Sequence, residues 1–122
     1  MIAADTSTWI AFFEGTQGED VTALASALQA RQIVMPPPVL TELLSDPELP
    51  PSVAQTLLDV PLIALKDGFW QRAAKLRAKA LARKRKARLG DALIAQCCID
   101  AEIALITRDS DFKAFSQTLN LL

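Results

Sequence analysis

Four acidic residues spread along the chain could bind a divalent metal ion if folding brings them together. Asp5 follows the first hydrophobic segment, and Glu42 lies in the run VLTELL, just after the second. Asp91 opens an apolar segment, and Asp109 follows the apolar run Ala104–Thr107. Hard cations such as Mg²⁺ prefer oxygen ligands and bind through a few carboxylates and retained water. A cluster of these four carboxylates could therefore hold one or two such ions for phosphodiester hydrolysis.

The rest of the composition offers few alternatives to carboxylate chemistry. The chain has no histidine, so the usual general base and the usual zinc ligand are both absent. Cys97 and Cys98 are adjacent in an apolar helical pattern, and neighbouring helical side chains point in different directions, which disfavours a disulfide between them. We predict that both are small buried core residues.

Length and hydropathy are typical of one globular domain. The chain has 122 residues, of which 51% are hydrophobic, and we treat residues 1–122 as a single domain. No apolar stretch reaches the roughly 18 residues that indicate a membrane span. The first residues, MIAADTSTWIAFFEG, lack the basic start of a signal peptide. We therefore expect a cytoplasmic protein that has no membrane partner.

Basic residues are concentrated in one segment, which the net charge of −1 hides. Residues 72–88 contain nine of the thirteen lysines and arginines and no acidic residue. Five of them, here called the basic stripe, recur every three or four residues along a predicted helix: Arg72, Lys75, Lys79, Arg83 and Lys86. Such a stripe is either a solvated surface or a contact for a polyanion such as RNA.

Short apolar segments alternate with helical patterns along the chain. The predicted strands are 2–4, 33–35, 62–65 and 104–107, with a final edge strand near 119–122. The first predicted helix follows a cap at Thr6 or Ser7 and ends at Glu14-Gly15. The other predicted helices are 19–31, 39–44, 52–58, 68–87, 91–101 and 112–115. In this pattern Asp67 caps the helix over 68–87, and Gly90 interrupts the helical pattern before the next helix.

This alternation predicts an α/β fold, a three-layer sandwich in which a short, mainly parallel sheet is flanked by helices. In such sheets, binding sites form beyond the carboxyl ends of the strands. Asp5 and Asp109 each stand just after a predicted strand. Glu42 stands one helical turn after another strand, and Asp91 stands at the start of a helix. The fold would therefore gather all four acids at one end.

Four blocks of sequence carry a family resemblance: DTSTWI at 5–10, LTEL at 40–43, GDALIA at 90–95 and LITRDSDF at 105–112. Taken together and in this order, they resemble the PIN-domain ribonucleases, and most closely the VapC-type toxins of toxin–antitoxin pairs. Their separations match nearly the full length of that family. One turn departs from the pattern, because the family usually has glycine where this chain reads Ala101-Glu102-Ile103.

The resemblance implies roles for individual residues. It makes Asp5, Glu42, Asp91 and Asp109 the catalytic acidic pocket, with the three aspartates as metal ligands. It also makes Ser7 and Thr107 supporting hydroxyls and Asp111 an accessory acid. For the whole protein it implies Mg²⁺ or Mn²⁺ as cofactor, RNA as substrate, a homodimer, and inhibition by a cognate antitoxin.

Several of these residues also have simpler structural interpretations. Asp91 and Asp111 could each cap a helix instead of binding a metal, and Glu42 could be a solvated helix residue. The spacing of Trp9 favours a place in the core or in a dimer interface over base stacking. For Trp70 the core, a dimer interface and base stacking all stay open.

Two other classes of function fit parts of the pattern. A non-catalytic module of the same fold would bind RNA or a protein without cutting it. A phospho-acceptor receiver domain is also an α/β protein with clustered acids. Receivers need paired acids after the first strand and a lysine after the last, whereas this chain has Asp5 alone and then Arg108-Asp109. Metal-dependent cleavage of RNA would separate these classes.

Overall fold

Three parallel strands form the sheet, in the order β2-β1-β3. The computed structural model, which describes residues 1–122, places β1 at Ile2–Ala4, β2 at Ile33–Val34 and β3 at Ala104–Ile106. All three strands are apolar, as is usual for a parallel sheet covered on both faces. Ala4, the last residue of β1, pairs with Ile106, the last residue of β3, so the residues that follow these two strands leave the sheet side by side.

Six α-helices and one 3₁₀ helix accompany the sheet. They are α1 at Thr6–Glu14, α2 at Glu19–Gln29, α3 at Pro37–Leu44, α4 at Pro51–Leu58, α5 at Phe69–Ala82, α6 at Leu89–Ala101 and the 3₁₀ helix at Ser110–Phe115. Prolines occupy the first turns of α3 and α4, where the missing N–H costs no helical hydrogen bond. No helix is both long and apolar enough to cross a bilayer.

The predicted α/β class with a parallel sheet is confirmed, but two predicted strands are wrong. Residues 62–65 form no strand, since only Leu62 makes an isolated bridge, to Met35. Leu62 and Leu65 are exposed, so this segment does not bury its apolar side chains as a core strand would. The C-terminal segment likewise contributes only a bridge between Leu121 and Leu105. Both segments extend the sheet edges without becoming strands.

The boundaries of α5 and α6 also differ from the prediction. Asp67 does not cap α5, because Gly68 is the N-cap in a left-handed conformation with φ of 80° and no side chain caps the helix. The helix ends at Ala82, and residues 83–88 form a loop. Gly90 does not interrupt the pattern but lies in the first turn of α6, which begins at Leu89. A glycine in a first turn disrupts the helix less than one in its interior.

The core contains the small and aromatic residues that the sequence places on apolar faces. Trp9 is fully buried, which confirms its core assignment, and Cys97 and Cys98 are free and buried as predicted. Trp70 is 62% exposed and therefore is not a core residue. In the turn after α6, Glu102 adopts the left-handed conformation with φ of 55° that glycine would adopt more easily. Glu102 thus adopts, at some conformational cost, a backbone conformation that favours glycine.

Candidate metal centre

Asp5 is fixed at the carboxyl end of the central strand. Its backbone N–H donates to the Ile106 carbonyl oxygen at 3.0 Å, which joins the ends of β1 and β3. Its side chain caps α1 by accepting from the Thr8 N–H at 3.0 Å, and the Ser7 hydroxyl donates to Oδ2 at 2.8 Å. The residue is only 3% exposed. The position of this carboxylate is therefore determined by the helix start as well as by the strand.

Thr107 connects Asp5 to the acids that follow β3. Its hydroxyl donates to Asp5 Oδ2 at 2.7 Å and accepts from the Asp109 N–H at 2.9 Å. Ser7 and Thr107, the two expected supporting hydroxyls, thus both contact the same carboxylate. Each hydrogen bond favours the charged form of Asp5.

Three carboxylates form a tight cluster beside this network. One oxygen each from Asp91, Asp109 and Asp111 lies within 4.8 Å of the others, and all three residues are half-buried. Asp91 Oδ2 is buried and has no hydrogen-bond partner. A buried polar atom without a partner is costly, and a cation bound among the carboxylates would supply what it lacks. The donor set is all oxygen, which suits Mg²⁺ or Mn²⁺.

Crowding and burial disfavour negative charge in this cluster. The pKa of Asp91 is raised to about 6, first by burial and then by the charge of Asp109, with smaller contributions from Glu42 and Asp111 and an opposing effect of Arg88. Burial also raises the pKa of Asp5, against the lowering effect of its hydrogen bonds from Thr107, Thr8 and Ser7. A divalent cation would relieve both the repulsion and the desolvation cost.

Glu42 lies at the edge of the cluster. Its Oε1 accepts a hydrogen bond from the Thr6 hydroxyl at 2.9 Å, which ties α3 to the start of α1. Its carboxylate oxygens lie 4.0 Å from where a Cβ on Gly90 would stand, beside the first turn of α6. The residue is exposed, as the solvated-helix interpretation requires, but its charge acts on Asp91.

Asp91 and Asp111 do not cap helices, so both helix-cap interpretations are wrong. The N-cap of α6 is Arg88, and Asp91 lies inside the first turn without capping it. The cap of the 3₁₀ helix is Asp109, whose Oδ1 accepts from the Asp111 N–H at 2.9 Å. The side chains of Asp91 and Asp111 therefore remain available to face the cluster.

One basic residue contacts the acids, a pairing that its place in the basic stripe does not predict. Lys86 Nζ lies 3.2 Å from Asp111 Oδ2. Its spacing assigned it to the basic stripe, but α5 ends four residues earlier and Lys86 belongs to the following loop. No sequence signal marks this pair, because it depends on where the loop of residues 83–88 turns toward the 3₁₀ helix.

The remaining stripe residues line a shallow groove, and some of them are already engaged. Arg72 forms a bidentate pair with Asp100, with Nη2 and Oδ2 2.6 Å apart, and Arg83 donates to the Ala114 carbonyl oxygen at 2.7 Å. Lys75 and Lys79 have no ion-pair partner. Although residues 72–88 contain no acid, their positive charge is not fully exposed to a partner. Because α5 packs on α6, Asp100 of α6 offsets part of it.

A second groove, lined mainly by apolar side chains, includes Glu42 in its lining. It lies between α1, α3 and α4, and its apolar lining is Ile10, Phe13, Leu43, Leu49, Val53 and Leu57. Ile10, in the lining of this groove, is 44% exposed. Glu14, Glu42 and Asp46 also line it, so the groove combines an apolar floor with negative charge.

Comparisons with known proteins give one family and one fold. A family model described as PIN domain matches residues 2–117. The structure resembles the crystal structure of FitAcB from Neisseria gonorrhoeae with a TM-score of 0.71 at 18% identity, over 100% of this chain and 96% of that chain. It also resembles FitAB bound to an IR36 DNA fragment, with a TM-score of 0.73 at 17% identity, over 100% and 94% of the two chains. No curated protein matches the sequence.

Proposed function

The chain belongs to the PIN-domain family, and from that premise we propose that it is a Mg²⁺- or Mn²⁺-dependent endoribonuclease that acts as the toxin of a type II toxin–antitoxin pair. Two observations carry the proposal: Asp91 shares a cluster with two further carboxylates, one oxygen of each lying within 4.8 Å of the others, and its buried Oδ2 has no hydrogen-bond partner. A structural cap or an ordinary surface acid would have no reason to leave that oxygen without a donor.

Three aspartates would hold the metal: Asp91 and Asp109, which belong to the 4.8 Å cluster, and Asp5, which is outside that cluster and connects to Asp109 through Thr107. Asp5 contributes a carboxylate that Ser7, Thr8 and Thr107 hold in one orientation. A bound divalent ion lowers the pKa of water and stabilises negative charge on a phosphate. Glu42 binds the metal or orients the attacking water from its position beside Gly90. Asp111 is an accessory acid within the same cluster.

RNA is the proposed substrate, bound mainly through its phosphates. The chain has no histidine to serve as a general acid or base, so hydrolysis by activated water fits its residues better than attack by the ribose hydroxyl. Lys75 and Lys79 of the basic stripe are exposed and free of ion pairs, which supports a role in phosphate contact. Sequence preference would come from exposed bases in loops.

Incubation of the purified protein with total RNA tests this function. We expect cleavage in Mn²⁺ or Mg²⁺, none in EDTA, and products with linear phosphate ends because water is the nucleophile. Cyclic phosphate ends would mean that the ribose hydroxyl attacks, and cleavage that persists in EDTA would contradict metal dependence. A protein that binds RNA in Mn²⁺ without cutting it would instead support the non-catalytic module.

The proposed partner is an antitoxin seated in the groove between α1, α3 and α4. An apolar helix face or extended segment would cover the exposed Ile10, and a basic side chain such as arginine would reach Glu42 and the acidic cluster. That cation would compete with the metal for the same carboxylates. Inhibition would follow from both occlusion and charge neutralisation.

A variant on the groove floor tests the antitoxin site. Ile10→Glu adds a charge to the apolar contact but lies outside the hydrogen-bond network of Asp5, so RNA cleavage should persist while inhibition by the protein encoded next to this chain is lost. Equal inhibition of Ile10→Glu and the wild type would place the partner elsewhere. The homodimer stays a prediction, which sedimentation equilibrium would check, and the exposed Trp70 is a candidate interface residue.

A further inference from the structure

Lys86 is the one basic residue that forms an ion pair with the acidic cluster. Its ammonium lies 3.2 Å from Asp111 Oδ2, while its side chain is 59% exposed. The other two ion pairs, Arg72 with Asp100 and Arg108 with Asp20, lie outside the cluster. Arg88 acts on Asp91 electrostatically but makes no ion pair. Lys86 therefore places a positive charge directly beside the acidic cluster.

The pair is poorly explained as a stabilising contact. Exposed ion pairs contribute little to folding, because solvent screens them and ordering a long side chain costs entropy. A lysine ammonium can donate three hydrogen bonds, and the ammonium of Lys86 contacts only Asp111. The remaining donors face solvent at the rim of the cluster. The side chain is thus anchored at one point and can still contact another anion.

An RNA phosphate that approaches this site meets several carboxylates of the same sign. Such repulsion opposes binding unless nearby positive charge offsets it. The neighbouring arginines are less suited to this role. Arg83 donates to the Ala114 carbonyl oxygen, Arg88 lies at the N-cap of α6, and the exposed Arg85 forms no ion pair with the acids. The position of Lys86 beside Asp111 gives it direct access to whatever enters the cluster.

We propose that Lys86 binds a phosphate of the RNA at the cleavage site, with Asp111 holding its ammonium in place before the RNA arrives. This inference rests on the proposed function, since it names a substrate-binding residue of the same site. Lys86 thereby has a different role from Lys75 and Lys79, which lie along α5 and do not contact the acids. Asp111, on this basis, positions a lysine as well as adding negative charge.

Fluorescence anisotropy with a labelled single-stranded RNA tests the contact. Ca²⁺ replaces Mn²⁺, and a gel verifies that the RNA stays intact. Lys86→Gln should weaken binding about fivefold to tenfold, as expected for loss of one charge-assisted contact at an exposed site. The slope of log affinity against log salt should become less steep by about 0.7. Lys86→Arg should keep both values near those of the wild type.

Lys84→Gln is the matched control, because Lys84 lies in the same loop, is exposed and forms no ion pair. It should change the affinity less than twofold. Equal effects of Lys84→Gln and Lys86→Gln, or no effect of either, would overturn the proposal. A Lys86→Gln variant that binds RNA normally but binds Mn²⁺ more tightly would identify Lys86 as a counter-ion of the acids only, which also overturns it.

Measurement of RNA cleavage by the wild type in Mn²⁺ distinguishes a failure of this inference from a failure of the proposed function. A wild type that cuts RNA, together with an unaffected Lys86→Gln variant in the binding assay, contradicts only the role of Lys86. A wild type that binds RNA through Lys86 but never cuts it contradicts the nuclease function and leaves the phosphate contact standing. A wild type that binds no RNA rejects both.

Discussion

The Thr107 hydroxyl donates a 2.7 Å hydrogen bond to Asp5 Oδ2, joining residues 102 positions apart in the sequence. The same oxygen of Thr107 accepts from the Asp109 N–H at 2.9 Å. One hydroxyl thus couples the acid after β1 to the acid after β3. This bridge adds a side-chain link to the backbone hydrogen bond between the Asp5 N–H and the Ile106 carbonyl oxygen.

Thr107→Val should weaken Mn²⁺ binding about tenfold or more. The change removes the hydroxyl at nearly constant shape, so the pKa of Asp5 rises further and its orientation loosens, and groups that orient metal ligands are typically worth about 10–100-fold in affinity. Isothermal titration with Mn²⁺ measures the effect. Thr107→Ser keeps the hydroxyl and should bind as the wild type does. Identical affinities for Val and Ser would show that the bridge does not support a metal ligand.

Asp91→Asn should stabilise the metal-free protein at neutral pH by about 1 kcal/mol, after allowing for solvent screening of a half-buried group. The pKa of Asp91 is about 6 in the folded protein against 3.8 for the model acid. The folded state therefore binds the extra proton, and the free energy of unfolding falls as pH rises from about 4 to about 6.

Thermal melts of both proteins in EDTA across that range check this sign. The advantage of Asp91→Asn should be absent at the acid end and complete above pH 6. Asp59→Asn is the control, because Asp59 is exposed at the end of α4, far from the cluster. A variant that is less stable than the wild type at neutral pH would indicate that the charge of Asp91 is satisfied without a metal.

Mn²⁺ affinity should fall as pH drops through about 6, the pKa of Asp91 in the metal-free protein. A metal ligand must lose its proton to bind, so below that pH the apparent affinity should decrease about tenfold for each pH unit if one proton is released. Titration calorimetry in buffers of different ionisation enthalpy would count that proton. An affinity that stays constant down to pH 4 would remove Asp91 from the ligand set.

Lys75→Ala combined with Lys79→Ala should weaken RNA binding for many sequences alike. These two stripe residues have no ion-pair partner, and each phosphate contact contributes a slope of about 0.7 in log affinity against log salt for single strands, so the double variant should flatten the slope by roughly 1.4. Mn²⁺ affinity should not change, because neither lysine reaches the acids. An unchanged slope would identify this face of α5 as solvated surface or as a protein contact.

Much of the fold follows from local sequence patterns. Asp5 and Asp109 were predicted at one sheet edge because each directly follows an apolar strand, and parallel strands end on the same side. The failed strand at 62–65 shows the limit of such patterns, since an apolar run does not reveal whether a neighbouring strand is available along its whole length. Met35 offers Leu62 a single bridge.

Contacts between distant elements could not be read from the sequence. The pairing of Arg72 with Asp100 requires knowing that α5 packs on α6, and the pairing of Lys86 with Asp111 requires the path of a loop. The unpartnered oxygen of Asp91 is likewise a property of packing and not of spacing.

The rate of RNA cleavage by Asp91→Asn in Mn²⁺, measured beside the wild type and Asp59→Asn, tests the central claim most directly. Loss of a metal ligand should cost more than the roughly 10–100-fold typical of outer-shell groups, so Asp91→Asn should fall to the EDTA background while Asp59→Asn keeps the wild-type rate. Circular dichroism would verify that both variants are folded. If Asp91→Asn cuts RNA at the wild-type rate, the acidic cluster is not the metal-dependent centre of this protein.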